Sequence, residues 1–275
     1  MPLYVNRRRE QLWYEDKGNG CPVVLVHGWC MSSAIWKYQF EGLSGSLRLL
    51  APDLRGHGRS RGVSGGLDFV TCANDLCDFF DGQKLSNVVL VGWSMGAQIA
   101  LQSCVELSGR LAGMVLVSAT PRFTAAEDFP YGLAANEAAG MRLKVQRNTV
   151  RALEGFYSRL FEENEFQSPS STSEIKQLLS TIPSPETDAV LEGLDALTQA
   201  DMRELLATVS IPALVVNGSL DRICLPLASN YLQEHIPGAS QTVFPGCGHA
   251  PFLTQSQQFN DEIIQFVRSV CEQGV

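Results

Sequence analysis

The chain has 275 residues, 45% of them hydrophobic, with 21 Lys and Arg against 29 Asp and Glu, a formal net charge of −8. That length supports one large buried core, and the acidic balance argues against nucleic acid as the main partner. No apolar run approaches the ~20 residues of a membrane span, and the arginines of MPLYVNRRRE are followed by no apolar stretch of the signal-peptide kind, so a cytoplasmic, monomeric protein without membrane contact is expected.

In chain order, VVLVH at 23–27 is a continuous apolar run suited to a strand buried on both faces. LRLLAPD at 47–53 is a second strand, ending in the Gly-rich turn RGHGRS, and a helical pattern follows at 69–80. NVVLVGW at 87–93 is a third strand leading into the helix MGAQIALQSCVEL. Further strands are expected at 111–120, 211–221 and 240–249, and SQQFNDEIIQFVRSV is a closing helix. Strands alternating with helices imply right-handed crossovers and a mostly parallel sheet covered on both faces. Between 121 and 208 the pattern becomes helical only, broken by QSPSSTS and IPSPET. The expected organisation is therefore a core over 1–120 and 209–275, with a helical cap at 121–208 over the carboxyl ends of the strands, where open parallel sheets bind ligands.

Gly92-Trp93-Ser94-Met95-Gly96 fits G-x-S-x-G, a sharp strand-to-helix turn that lifts a nucleophilic serine clear of the sheet. A serine needs a base. Of the four histidines, His27 closes the first strand, His57 lies in the RGHGRS turn, and His235 sits at a helix end. His249, in the Gly-rich loop GCGHAPFL, follows the last strand and comes after Ser94, as the order Ser, acid, His requires. Asp221 ends a strand between the two and is the expected orienting carboxylate; Asp53 precedes the serine, and Asp195 and Asp201 lie in the helical segment. Oxyanion donors are expected from the backbone amides of Met95 and of Trp29 in the loop after the first strand.

No metal or cofactor is expected. The cysteines (Cys21, Cys30, Cys72, Cys77, Cys104, Cys224, Cys247 and Cys271) form no C-x-x-C pair and no Cys–His ligand spacing, and are expected as reduced, packed thiols. Gly56-His57-Gly58 lacks the third glycine of a dinucleotide fingerprint.

The blocks LVHGWCMSSAIWK, APDLRGHGRS, VGWSMGAQIA, NGSLDRICL and GCGHAPFL, in that order, resemble the α/β-hydrolase superfamily along nearly the whole chain. Within it, HGW, GWSMG, SATPRFTAAEDFP and HAPFL are similar to the biotin-synthesis carboxylesterases, which hydrolyse the methyl ester of pimeloyl-acyl-carrier protein. That resemblance implies a Ser94–Asp221–His249 triad, Trp29 and Met95 at the oxyanion hole, and Phe156 against the acyl chain, while the rings of Trp29 and Trp93 either line the pocket or pack in the core. Leu160 is expected as a further substrate contact, standing where the family has a Gln, and the cap is longer around NEFQSPSSTS. A helical wheel over 141–161 places Leu143, Val150, Leu153, Tyr157 and Leu160 on one side. Lys144, Arg147 and Arg151 fall on an adjoining face, a basic strip able to receive an acidic acyl-carrier protein or simply to face solvent. A broad small-ester or lactone hydrolase is the alternative reading, and a non-catalytic binding protein of the same fold the third.

Overall fold

In a computed structural model describing residues 2–63, 65–166 and 168–271, the chain forms an eight-stranded sheet. The core elements are β1 Leu3–Val5, β2 Gln11–Lys17, β3 Pro22–Val26, α1 Lys37–Leu43, β4 Arg48–Pro52, α2 Phe69–Gly82, β5 Val88–Trp93, α3 Met95–Leu107 and β6 Leu111–Val117. Five helices follow: α4 Ala135–Arg147, α5 Thr149–Tyr157, α6 Pro169–Thr181, α7 Thr187–Gln199 and α8 Arg203–Leu206. The chain then returns through β7 Ala213–Gly218, α9 Pro226–His235, β8 Ser240–Phe244, α10 Pro251–Thr254 and α11 Ser256–Cys271. Strand order is β1-β2-β4-β3-β5-β6-β7-β8; β1 and β2 pair antiparallel, and every pairing from β4 to β8 is parallel.

The apolar runs of β3 and β5 need no alternation because helices cover both faces, and Val23 to Val26 and Val88 to Val91 are shut off from solvent. α2 and α3 form one flanking group; α1, α10 and α11 form another, with α11 against β6. Asp68 caps α2 by accepting the Thr71 amide at 2.8 Å, which sets where that helix begins.

Three observations revise the expectations. First, β1 and β2 extend the sheet with an antiparallel edge. Arg55 stitches this edge to the core: its buried guanidinium meets Asp75 at 2.7 Å and Glu10 at 2.9 Å, while Asn6 donates to Asp75 at 2.7 Å. A buried guanidinium is stable only with its charge and donors matched, as here. Second, Cys21 ahead of β3 and Cys271 at the end of α11 form a disulfide across 250 positions, which corrects the expectation that all eight thiols are free. α11 runs back from the carboxyl end of the sheet, so its last turn meets the start of β3; nothing in the spacing of the two cysteines encodes that return. The other six thiols are free and buried. Third, the wheel over 141–161 is not one helix. Asn148 adopts φ −164°, ends α4 and caps α5 through the Arg151 amide at 3.0 Å. The phase therefore resets, and Leu143 and Val150 are 54% and 61% exposed, not part of a buried stripe.

β5 turns into α3 with almost no space. A Cβ on Gly92 would meet the Gly96 carbonyl and lie 2.6 Å from the Ala97 Cα; on Gly96 it would meet the Val26 carbonyl and lie 2.6 Å from the His27 oxygen. Backbone cannot yield as a side chain can, so Gly96→Ala is expected to cost at least ~2 kcal/mol, lowering the thermal midpoint by roughly 4–8 °C. Scanning calorimetry checks this.

Candidate active site

The glycine-lined turn forces Ser94 to φ +55°, a left-handed conformation that side-chain-bearing residues adopt only when their surroundings hold them there. Its amide donates to the Val117 carbonyl at 2.9 Å, so the strand end on β6 fixes the turn from the other side. The Ser94 hydroxyl lies within reach of the Cys224 thiol, which burial and the nearby Asp221 charge push well above its ordinary value.

His249 Nδ1 and Asp221 Oδ2 are 2.8 Å apart, and both side chains are fully buried. The other carboxylate oxygen of Asp221 accepts the Ile223 and Cys224 amides at 2.8 and 3.0 Å. Both oxygens are thus committed, and with Nδ1 donating to Asp221, Nε2 is left as an acceptor. Nε2 is buried and has no hydrogen-bond partner among the described residues, an arrangement suited to receiving a proton. The His249 carbonyl accepts the Trp93 indole N–H at 2.9 Å, tying the histidine loop to the residue before the serine.

Trp29 and Ser94 lie on one narrow chamber of about 30 Å³. Its walls are mostly apolar, with Phe156 from α5, Ala138 and Met141 from α4, and Leu194 and Leu197 from α7, and Glu137 and Arg159 also line it. Phe156 meets Trp29 edge-on at 4.9 Å. Gly28 packs against the site: a Cβ there would lie 3.3 Å from that of Ser94. Met95 opens α3, so its amide stands at a helix amino end directly after the serine. Leu160 does not line this chamber; its side chain is fully buried and its carbonyl accepts the His249 amide at 2.8 Å. α5 ends at Tyr157, and the chain beyond it brings the Leu160 backbone against the histidine loop.

Lys144, Arg147 and Arg151 do converge: with Asn148, Gly155 and Arg159 they line a groove that shares Met141 and Arg159 with the chamber. Arg159, which the helical wheel did not single out, bridges to Glu137 at 3.3 Å where the two cavities meet. Two other residues carry more than their sequence positions suggest. His57 Nε2 accepts the Cys30 amide at 3.2 Å, and His27 Nε2 accepts the Leu54 amide at 3.1 Å; in each, Nδ1 faces a backbone carbonyl. They are neutral connectors between the loops after β3 and β4.

These features define an α/β hydrolase. A profile of the alpha/beta hydrolase family matches residues 23–262, and the chain belongs to that family. Over 247 residues it is 34% identical to a protein of Nitrosomonas europaea named pimeloyl-[acyl-carrier protein] methyl ester esterase, covering 89% of this chain and 95% of the relative. It is 28% identical over 259 residues to a Pectobacterium atrosepticum protein of the same name, covering 94% and 98%. Among solved structures, an Exiguobacterium antarcticum esterase superposes with a TM-score of 0.89 at 26% identity, over 97% of this chain and 98% of that one. A Bacillus anthracis bromoperoxidase gives 0.88 at 26% identity, over 97% and 99%. The chain is a carboxylic ester hydrolase.

Burial lowers His27 from 6.5 to about 4, and burial with the neighbouring His27 lowers His57 to about 3. Since the unfolded chain takes up these protons first, their contribution to stability is complete above about pH 6.5 and is lost as pH falls toward the folded values. Unfolding free energy is expected to drop below pH 6.5 by up to ~1.4 kcal/mol per pH unit for each ring. Denaturant melts at pH 7.5, 6 and 5 test this, with His57→Gln expected to flatten the slope.

Proposed function

We propose that this protein hydrolyses the methyl ester of pimeloyl-acyl-carrier protein, giving methanol and the free carboxylate on its carrier. The observation that carries the chemistry is the buried Asp221–His249 pair with an open Nε2, on a loop tied through the His249 carbonyl to Trp93, the residue before Ser94. His249 takes the Ser94 proton as the hydroxyl oxygen adds to the ester carbonyl, and the Trp29 and Met95 amides hold the oxyanion. The imidazolium then protonates departing methoxide. In the second half, His249 removes a proton from water, which attacks the acyl-enzyme and regenerates Ser94. No cofactor enters either half.

The substrate reading rests on three features. The relatives in Nitrosomonas and Pectobacterium carry this substrate in their names. The chamber wall is mostly apolar, Glu137 and Arg159 apart, and suits an aliphatic chain. The groove of Lys144, Arg147, Arg151 and Arg159 opens beside the chamber on an otherwise acidic protein, and its charge complements an acidic carrier.

Mass spectrometry of methyl-pimeloyl-acyl-carrier protein incubated with catalytic amounts of enzyme tests the proposal: one methyl group is lost, and Ser94→Ala lowers turnover by at least 10⁴-fold with little change in thermal midpoint. Survival of the carrier-bound ester while short free esters are cleaved would leave a broad esterase instead. Charge reversal by the pair Arg147→Glu and Arg151→Glu is expected to lower kcat/KM for the carrier-bound ester about tenfold or more, with the largest effect at low salt.

A further inference from the structure

Cys30 sits two residues after Gly28 in the oxyanion loop and holds φ +60°, although it carries a side chain and is completely buried. Such a conformation persists only where neighbours over-determine it. Two do so. The Cys30 amide donates to His57 at 3.2 Å, and the Cys30 carbonyl accepts the Tyr157 hydroxyl at 3.1 Å. His57 belongs to the core, whereas Tyr157 is the last residue of α5 in the cap. Tyr157 does not line the acyl chamber, so its hydroxyl faces the loop and not the substrate. Burial raises it far above its ordinary value, and it remains a proton donor at any working pH.

The chain immediately after Tyr157 grips the other catalytic loop. The Leu160 carbonyl accepts the His249 amide at 2.8 Å, and the Glu165 carboxylate accepts the Gly248 amide. A Cβ on Gly248 would lie 2.7 Å from that Leu160 oxygen, so the histidine loop is pressed against this stretch. Residues 157–165 therefore touch the loop of the oxyanion donors at one end and the loop of the base at the other.

We propose that Tyr157 is a positioning residue that sets the oxyanion loop, through the Cys30 carbonyl, against the His249 loop anchored by Leu160 and Glu165. The inference rests on the Ser94–His249–Asp221 reading. The hydroxyl bond holds the peptide between Cys30 and Met31 while His57 holds the one between Trp29 and Cys30, so both sides of Cys30 are fixed and the Trp29 amide before them keeps its aim. When the hydroxyl bond is broken, Cys30 is free to relax from its left-handed conformation and the donor turns away. Cap and oxyanion hole are then one mechanical unit, and displacement of the cap withdraws catalysis as well as shelter.

Tyr157→Phe retains the ring and removes the bond. With 4-nitrophenyl butyrate, which needs no carrier, kcat is expected to fall about tenfold with KM within twofold and the melting temperature nearly unchanged. Affinity for a trifluoromethyl ketone, whose adduct with Ser94 places an oxyanion on the same donors, falls by a similar factor. The decisive comparison adds Cys30→Gly, since glycine accepts the left-handed conformation without strain. In that background the penalty of Tyr157→Phe shrinks to less than threefold. An equal penalty in both backgrounds, or a loss confined to KM, overturns the proposal. An active Ser94→Ala would overturn the triad reading itself, whereas an inert Ser94→Ala beside an unimpaired Tyr157→Phe removes only this inference.

Discussion

A serine at φ +55° between a strand and a helix is the constraint from which the rest of the site follows. The turn is tight enough that positions 92 and 96 admit no Cβ, and the gap between β5, α3 and β3 is closed by backbone alone. That contact decides where α3 starts, hence where the Met95 amide stands, and it brings the loop after β3 against Ser94. The strain is balanced by burial: the strands on either side are among the most completely enclosed parts of the chain. A core of this size can hold one unfavourable conformation where the chemistry needs it.

Around this turn, the buried groups of Asp221 and His249 are held by fixed partners. Asp221 has both oxygens occupied, His249 has its carbonyl, amide and Nδ1 engaged, and only Nε2 is left open. A site of this kind needs little reorganisation as charge develops, which is where the electrostatic part of a rate enhancement arises. The helices between β6 and β7 complete the enclosure. They supply the apolar wall, and Tyr157 with the stretch that follows α5 makes hydrogen bonds to Cys30, His249 and Gly248.

The parallel strands from β3 to β8, the tight turn at Ser94 and the Asp221–His249 contact were legible because each is encoded locally: an apolar run, a glycine spacing, a strand-end carboxylate. β1 and β2 left little signal, since QLWYEDK buries only part of its length and LYV is very short. The cap was readable as helical but not in phase. One asparagine at 148 resets the register, and no periodicity analysis that assumes an unbroken helix can place Leu143 or Val150 correctly. Leu160 shows the deeper limit. Its contribution runs through a carbonyl oxygen, which every residue has, so no side-chain pattern announces it. His57 and Tyr157 likewise act on backbone atoms of Cys30, a relation visible only once three distant segments are brought together.

The buried thiols have a consequence of another kind. Each of the three loops at the site contains one: Cys30 after Trp29, Cys224 near Asp221, and Cys247 two residues before His249. Burial raises all three above their ordinary values, so in the closed protein they are protonated and shielded from reagents. A thiol reagent would therefore reach each sulfur only through movement of the loop that carries it, so the order in which Cys30, Cys224 and Cys247 react reports which part of the site opens.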